Sequence, residues 1–372
     1  MAKTPRKLRV GVVFGGRSGE HEVSLAGAAS VLAAMDKSRF EPVPIGIARD
    51  GRWLMGGDPL RALAGEAAQS ALASGDPEAH TRHELLERAV AQDTGASLMR
   101  MESSEGLPAG LRDRLDVVLV LLHGPQGEDG TVQGLLQLAG VPYTGAGVLG
   151  SAVGMDKIAM KDLFRAHGLP IVEHAVVRRH DWEHEPAVIR SGIAAEIGFP
   201  CFVKPANLGS SVGISKVKTA EDLAAAIDLA ARHDRRILVE RAVQGREVEV
   251  AVLGNDEPRV SVVAVSLKKK EWYDYDTKYG EGQTTFKVPA PLPPEVTEEV
   301  RSLALRAFRA IDCAGMARVD FFIEGERRVL VNEINTIPGF TSTSAYPRLW
   351  EASGIPYPEL ISRLIDLALE RR

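Results

Sequence analysis

Polar side chains alternate with apolar ones in two segments near the end of the chain. Arg318 and Asp320 are two residues apart, as are Glu333 and Asn335. Since successive strand side chains point to opposite faces, each pair shares one face of its strand. If residues 325–326 form a two-residue hairpin turn, Arg318 is opposite Glu333, with Asp320 on the diagonal. The three oxygen-bearing side chains would then suit Mg²⁺, with Arg318 beside them to hold developing negative charge.

The register of this hairpin decides that prediction. A three-residue turn would shift the pairing by one position and reverse which side chains share a face. The alternative to a cation site is a surface hairpin with ordinary charged residues. That alternative explains poorly why three acceptors and an arginine occur among apolar strand residues such as Phe321 and Leu330.

A glycine- and serine-containing loop follows a strand-like run in the middle of the chain. Lys204 ends the run, and residues 205–213 include two glycines and the hydroxyls of Ser210 and Ser211. Backbone N–H groups in such a loop can cradle phosphate, although the spacing is not that of a Walker A motif. Lys157 would supply a second cation if the two lysines converge. The alternative is an ordinary turn with a solvated lysine.

Two carboxylates follow the first expected strand, where a glycine turn leads into a helix. Residues 15–24 read GGRSGEHEVS, which does not match the dinucleotide-binding spacing GxGxxG. Glu20 and Glu22 would repel a pyrophosphate, whereas a carboxylate at the mouth of a sheet suits an ammonium ligand. The alternative is that both acids only stabilise the start of the helix.

A second candidate loop, residues 123–130 (HGPQGEDG), follows an apolar run at 116–122. Such a run is typical of a strand buried on both faces, and ligands of parallel sheets bind beyond the carboxyl ends of the strands. His123 is therefore a candidate binding residue. The alternative is a structural histidine held by hydrogen bonds.

A long polar segment, residues 268–287, contains one tryptophan and three tyrosines within positions 272–279. Long loops in compact domains often act as lids over active sites. The aromatic residues favour docking onto another part of the protein over a merely solvated loop.

Strand-like and helical segments alternate at the start of the chain, which predicts a parallel sheet with helices on its faces. Residues 56–114 are weakly periodic and are expected to form an irregular insertion with some helix. The other expected segments are strands at 8–14, 40–48, 116–122, 199–204, 236–240 and 247–253, a strand pair within 317–333, and helices at 23–35, 157–167, 295–311 and 358–371.

The composition indicates a folded protein without general affinity for nucleic acid. The 372 residues include 45 Lys and Arg against 50 Asp and Glu, a formal net charge of −5, whereas a nucleic-acid binder carries a basic face. Cys201 and Cys313 form no CxxC motif, which favours a reducing compartment. No apolar run approaches the ~18 residues of a membrane span, and no targeting segment is evident. We expect a cytoplasmic protein with no membrane partner.

Together these segments resemble the D-alanine–D-alanine ligases of the ATP-grasp superfamily. GGRSGEHEVSL, HGPQGEDG, MDK, VKPANLGSSVG, YDYDTKY, ARVDFF and NEINTIPGFTSTS occur in the family's order. The resemblance covers nearly the whole chain apart from residues 56–114. The number and order of these motifs make it specific.

The resemblance implies a mixed fold, α/β followed by α+β. An N-terminal open parallel-sheet domain would cover residues 1–147. A central ATP-grasp lobe would cover 148–243, and a C-terminal ATP-grasp lobe would cover 244–372 with a lid at 268–287. A homodimer is common in the family.

The resemblance also implies a reaction. ATP phosphorylates the carboxylate of one D-alanine, and the amino group of a second D-alanine attacks the acyl phosphate. Phosphate then leaves a tetrahedral intermediate to give D-alanyl-D-alanine for peptidoglycan synthesis. Since an acyl phosphate hydrolyses in water, a lid must close over it.

Individual roles follow from the same resemblance. The implied amino-acid ligands are Glu20 for the first ammonium, His123 near the first carboxylate, Ser344 for the second carboxylate, and Arg318 with the Gly339 N–H for the oxyanion. The implied ATP ligands are Lys157, Lys204 and Ser211 on the phosphate side, with Glu240 and Glu247 near adenine and ribose. The implied ligands of two Mg²⁺ or Mn²⁺ ions are Asp320, Glu333 and Asn335. Ser210 and Tyr279 would orient substrate and lid together with Glu20, and Lys278 would contact phosphate and carboxylate.

Other functions stay open on the sequence alone. Another ATP-grasp ligase could use D-serine or D-lactate as its nucleophile. Relatives that make D-alanyl-D-lactate carry a histidine-bearing loop in place of Lys278-Tyr279, which disfavours the ester. Ala345 stands where a bulkier apolar residue is common in the family, so this position does not determine which second substrate is preferred. The glycine spacing disfavours an NAD-dependent oxidoreductase, and the full set of metal-ligand candidates disfavours a non-enzymatic nucleotide-binding module.

Overall fold

Three β-sheets organise the structure, a computed structural model that describes residues 6–74, 102–104, 110–209, 213–268 and 284–371. The first sheet contains β1 (Leu8–Gly15), β2 (Phe40–Ile47), β3 (Trp53–Met55), β4 (Glu102–Ser104) and β5 (Val117–Val120) in the order β4-β3-β2-β1-β5. β1 runs parallel to β2 and β5, whereas β3 and β4 are antiparallel additions at one edge.

The other two sheets are antiparallel. The second contains β6 (His174–Arg178), β7 (Cys201–Pro205), β8 (Ser215–Val217) and β9 (Arg236–Arg241) in the order β6-β9-β7-β8. The third contains β10 (Gly245–Gly254), β11 (Arg259–Lys268), β12 (Thr284–Lys287), β13 (Gly315–Glu324) and β14 (Arg328–Asn335) in the order β12-β11-β10-β13-β14.

Helices cover the sheets and connect them. They are α1 (His21–Ala34), α2 (Pro59–Ser74), α3 (Leu111–Arg114), α4 (Thr131–Leu138), α5 (Val148–Met155), α6 (Lys157–Ala166), α7 (Arg179–His184), α8 (Pro186–Glu196), α9 (Leu223–Ala231), α10 (Pro294–Ala310), α11 (Ala345–Ala352) and α12 (Tyr357–Glu370). Within the described ranges, no helix combines the length and apolarity that a membrane crossing requires.

The expected strands and helices are present, with ends shifted by a few residues. Asp156 caps α6 as its side chain accepts hydrogen bonds from the N–H groups of Ile158 and Ala159. α10 buries the apolar face that its spacing predicts, including Val296 and Val300. The expected insertion contains α2, β4 and α3, and its residues 75–101 and 105–109 lie outside the described ranges.

The two ends of the chain share one hydrophobic core. Trp350 of α11 and Leu364 of α12 are buried in the same cluster as Val12 of β1 and Val118 of β5. The third sheet has a second cluster with α6 and α10, and the second sheet has a third cluster with α9. The domain boundaries at 147 and 243 stay a prediction.

The carboxylate of Asp116 fixes β1 against β5. Its oxygens accept hydrogen bonds from the Arg9 N–H at 2.8 Å and from the Arg6 guanidinium at 2.7 and 2.8 Å. Partial burial alone would raise the pKa of this carboxyl group, but the bonds from Arg9 and Arg6 outweigh burial and hold the pKa at about 2. The anchor lies at the amino ends of β1 and β5, and two of the candidate loops begin at their opposite, carboxyl ends.

This low pKa predicts a pH-dependent contribution to stability. Because the pKa is lower in the folded than in the unfolded state, the contribution is present above about pH 4 and is lost as the pH falls toward 2. The free energy of unfolding of the wild type should fall between pH 5 and 3, and we expect this fall to be smaller in Asp116→Asn. The difference between the two proteins is at most about 1 kcal/mol, because solvent screens the pair. Urea titrations at each pH measure it, with exposed Asp113→Asn as the control. Equal pH slopes for wild type and Asp116→Asn would contradict the prediction.

The predicted two-residue turn between β13 and β14 is wrong. Glu324 pairs with Arg328, so three residues, 325–327, form the turn. A bulge at Asn332 then adds one more residue to β14, since Phe321 pairs with Val331 whereas Asp320 pairs with Glu333. The bulge adds a second one-residue shift to the one that the longer turn introduces, and the two shifts together restore the predicted faces. The same side chains therefore share a face, but Asp320 is opposite Glu333, and Arg318 is opposite Asn335.

Candidate active site

The carboxylate of Glu20 lies where three of the candidate loops meet. Glu20 precedes α1 and is buried, with 8% of its surface exposed. A Cβ added to Gly124 would lie 3.4 Å from Glu20 Oε2, and one added to Gly209 would lie 3.3 Å away. Glycine at both positions lets the 123–130 loop and the 205–213 loop approach this carboxylate closely. A buried carboxylate at such a junction can bind an ammonium group.

The loop after β5 is held by two side chains of its own. Glu128 Oε2 accepts a hydrogen bond from the Gly124 N–H at 2.7 Å. His123 is 5% exposed, and its Nδ1 lies 3.0 Å from the carbonyl oxygen of Ile337, in the segment after β14. His123 thereby links the first sheet to the segment that carries Gly339. Its ring lines the same cavity as Glu20.

A cavity of about 240 Å³ joins these groups. The residues predicted to bind the amino acids and the intermediate all line it: Glu20, His123, Arg318, Gly339 and Ser344. Ser344 precedes α11, so the positive end of that helix faces the cavity. Its hydroxyl lies 2.7 Å from that of Thr341 and accepts a hydrogen bond from the Thr341 N–H at 3.1 Å. This wall suits a carboxylate.

A second cavity, of about 400 Å³, lies between the second and third sheets. The predicted ATP ligands in the described ranges line it: Lys157, Lys204, Glu240 and Glu247. Lys157 and Lys204 thus line one cavity. The Lys157 ammonium donates to the Leu208 carbonyl at 2.8 Å in the candidate phosphate loop. Lys157, Gly209, Glu249, Arg318 and Glu333 line both cavities, so the two adjoin.

Glu240 is buried between two lysines. Its two carboxylate oxygens lie 2.6 Å from Lys161 Nζ and 2.5 Å from Lys204 Nζ. Burial alone would raise the pKa of Glu240, but the two ammonium groups hold it at about 2. Burial alone would lower the pKa of Lys204, but the Glu240 carboxylate raises it. Lys204 is therefore a fixed cation at the edge of the second cavity, and such a cation can bind an anion such as phosphate.

Carboxylates from three adjacent strands form a row beside both cavities. Glu249 of β10 pairs with Asp320 of β13, which pairs with Glu333 of β14. Arg318 lies on this face, with bonds of 2.7 and 2.6 Å to Asp320 and an ion pair of 3.2 Å with Glu249. Lys157 Nζ approaches Glu333 Oε2 to 3.9 Å. The row concentrates oxygen donors next to a cationic phosphate site.

The donor set of this row fits a hard divalent cation. Asp320, Glu333 and Asn335 offer oxygens on one face, as the corrected register shows. In the described part of the chain, no group of three or more His, Cys, Asp or Glu side chains forms a metal cluster by itself. A Mg²⁺ site needs none, because this ion uses one or two carboxylates with substrate phosphates and water.

Four predicted site residues lie outside the described ranges: Ser210, Ser211, Lys278 and Tyr279. The predicted lid at 268–287 is described only at its two ends. Roles for these residues stay predictions.

Two residues of the site were missed by the sequence reasoning. Glu249 alternates with Glu247 along β10, and this two-residue spacing is the signal that places both on one face. Lys161 is four residues after Lys157, the helical spacing that places both on one face of α6.

Two family models match this chain. The D-ala D-ala ligase N-terminus matches residues 9–146, and the D-ala D-ala ligase C-terminus matches residues 163–366. The D-alanine–D-alanine ligase of Geobacillus kaustophilus is 46% identical over 365 residues, which cover 98% of this chain and 95% of the relative. That of Deinococcus radiodurans is 47% identical over 369 residues, which cover 98% and 100%.

Solved structures agree with this match. The D-alanine–D-alanine ligase from Coxiella burnetii is 35% identical with a TM-score of 0.76, covering 99% of this chain and 95% of that chain. The VanG D-Ala:D-Ser ligase from Enterococcus faecalis is 32% identical with a TM-score of 0.77, covering 98% and 100%. The mixed α/β fold expected from the sequence is confirmed. The chain belongs to the D-alanine–D-alanine ligase family.

Proposed function

We propose that this protein joins two D-alanine molecules at the expense of ATP, to give D-alanyl-D-alanine, ADP and phosphate. The observation that carries the proposal is the adjacency of two cavities. One presents a buried carboxylate, Glu20, at the junction of three loops, and the other is lined by two lysines, Lys157 and Lys204. An ammonium-binding cavity next to a phosphate-binding cavity is what transfer of a phosphoryl group to an amino acid requires.

The residues of the first cavity account for the amino-acid steps. Glu20 binds the ammonium of the first D-alanine, and His123 lies near its carboxylate. That carboxylate oxygen attacks the γ-phosphorus of ATP, and ADP leaves. The amine of the second D-alanine, whose carboxylate is held by Ser344, then attacks the acyl carbon. Arg318 and the Gly339 N–H stabilise the negative oxygen of the tetrahedral intermediate before phosphate departs.

The residues of the second cavity hold the nucleotide. Lys157 and Lys204 bind the phosphates, while Glu240 and Glu247 lie toward adenine and ribose. Asp320, Glu333 and Asn335 would hold two Mg²⁺ or Mn²⁺ ions, which neutralise phosphate charge as it shifts to the leaving group. Glu249 of the same row pairs with Arg318 at 3.2 Å, and Arg318 lines both cavities.

The cellular context follows from the reaction. The dipeptide product serves peptidoglycan precursor synthesis, and a reducing cytoplasm suits the two buried free cysteines, Cys201 and Cys313. A homodimer, which is common in the family, is the proposed assembly.

Product analysis tests the function. Protein, ATP and Mg²⁺ are incubated with D-alanine alone and with D-alanine plus D-serine, D-lactate or L-alanine, and products are identified by mass. D-alanyl-D-alanine from D-alanine alone is the expected result. A mixed product formed in preference would keep the mechanism but change the specificity, and D-alanyl-D-serine would place the chain with the D-Ala:D-Ser neighbour. Absence of phosphate release with every amino acid would reject the ligase.

Glu20→Gln tests the ammonium site. The substitution removes a charge-assisted hydrogen bond, so we expect the KM of the first D-alanine to rise about 10- to 100-fold with little change for ATP. Initial rates over a wide range of D-alanine measure it. Glu22→Gln is the matched control, because Glu22 lies on the same helical turn but pairs with Arg49 at 2.5 Å. If both variants behave alike, the two acids only support the helix start.

A further inference from the structure

A lysine outside both cavities lies behind the nucleotide site. The Lys161 side chain is 1% exposed on α6, one turn after Lys157. Its Nζ lies 2.6 Å from Glu240 Oε1 and donates a hydrogen bond to the Asn332 carbonyl oxygen at 3.2 Å. A buried ammonium group is costly unless it is paired and hydrogen bonded. Both partners of Lys161 belong to residues that line the second cavity, so the buried charge contacts the site as well as the core.

The first partner connects Lys161 to the phosphate-binding cation. One carboxylate oxygen of Glu240 pairs with Lys161, and the other pairs with Lys204. Lys204 is 14% exposed toward the nucleotide cavity, whereas Lys161 is not among the residues that line it. With Lys161 in place, the carboxylate cannot turn both oxygens to Lys204. The Lys204 ammonium thus keeps donors for a phosphate.

The second partner connects Lys161 to the cation-binding strand. Asn332 is the bulge residue of β14, where the ladder with β13 is interrupted. Lys161 supplies a donor for its carbonyl. The bulge moves Glu333 opposite Asp320, so a group that stabilises the bulge also sets the direction of the Glu333 carboxylate.

We propose that Lys161 is a positioning residue that fixes the Lys204 ammonium on the phosphate side and the Glu333 carboxylate on the cation side. The inference rests on the proposed function, because it assigns phosphate to Lys204 and Mg²⁺ to Glu333. Lys161 contacts neither substrate. It joins α6 and β9 to β14, so the phosphate ligand and the carboxylate row keep one fixed separation.

Lys161→Met tests the inference, because it should change the constants for ATP and Mg²⁺ and leave the constant for D-alanine unchanged. We expect the KM of ATP and the Mg²⁺ concentration for half-maximal rate to rise about 10- to 100-fold, as losses of such supporting contacts do. The KM of the first D-alanine stays within about twofold. A lysine that only stabilised the fold would reduce the active fraction, which lowers the apparent kcat and leaves every KM unchanged.

Two further variants keep the test decisive. Trp182→Phe removes the 2.7 Å bond from the indole N–H to Asp228 in the second sheet's core region and is the stability control, with unchanged KM values expected. Lys161→Gln can still donate one hydrogen bond and replaces Lys161→Met if the latter does not fold. Unchanged KM values for ATP and Mg²⁺ in a folded Lys161 variant would overturn the inference.

Binding of ADP separates this inference from the proposed reaction. Calorimetric titration of ADP with Mg²⁺ needs no turnover, and we expect about 10- to 100-fold weaker binding to Lys161→Met than to wild type. Wild-type protein that binds ADP but forms no dipeptide would reject the reaction and leave the role of Lys161 standing. Equal ADP affinity in wild type and variant would reject that role, whatever the product.

Discussion

Glu333→Gln is expected to reduce turnover about 1000-fold while the protein stays folded. Glu333 lies in both cavity walls, opposite Asp320 and 3.9 Å from Lys157. Its carboxylate would hold divalent cations together with Asp320 and Asn335, and the amide of glutamine cannot replace that negative charge. The loss corresponds to roughly 4 kcal/mol of transition-state stabilisation, in the range that bound metal ions supply.

Steady-state rates and a Mg²⁺ titration measure this effect, and circular dichroism measures the fold. Glu326→Gln is the matched control, since Glu326 lies exposed in the turn of the same hairpin. The control should keep wild-type turnover. Near-normal turnover in Glu333→Gln would refute the cation role of this carboxylate.

Arg318→Lys should lower kcat by about 100- to 1000-fold with a small change in the KM of ATP. The Arg318 guanidinium is held by two bonds to Asp320 and by an ion pair with Glu249. Lysine keeps the charge but lacks the planar fork that makes these contacts and reaches the oxyanion together. Because the oxyanion forms only in the transition state, the loss falls on kcat.

The matched control for this substitution is Arg328→Lys. Arg328 lies on β14 and pairs with Glu324 and Glu173 at the far end of the hairpin. It should retain full activity, with at most a small loss of stability. Arg318→Lys could instead leave kcat unchanged and raise the KM of ATP by the factor by which kcat/KM falls. That result would make Arg318 a ligand of the nucleotide in the ground state.

The sequence predicts the chemistry of the carboxylate row better than its geometry. Alternation along each strand identifies which side chains share a face, and that part holds. The register depends on the turn at 325–327 and on the bulge at Asn332, which contacts from outside the hairpin support. The Val331 N–H donates to the Pro170 carbonyl, and Lys161 donates to the Asn332 carbonyl. Neither contact is visible in the local sequence.

The environment of Glu240 shows a similar limit. The family resemblance implies a place near the nucleotide, and Glu240 lines the cavity between the second and third sheets. Its immediate partners, Lys161 and Lys204, come from α6 and β7, which are far from β9 in the chain. Such long-range pairing depends on how the sheets pack. The short strand β8 was also missed, because three residues carry too little periodicity.

Transfer of oxygen from D-alanine to phosphate tests the central claim most directly, namely that ATP activates the carboxylate of the first D-alanine. D-Alanine labelled with ¹⁸O in both carboxylate oxygens is incubated with the protein, unlabelled ATP and Mg²⁺, and the inorganic phosphate is analysed by mass. The acyl–oxygen bond breaks when phosphate leaves the tetrahedral intermediate, so each phosphate should carry one ¹⁸O and the dipeptide amide should keep the other. Unlabelled phosphate formed together with dipeptide would contradict an acyl phosphate, and with it the roles proposed for both cavities.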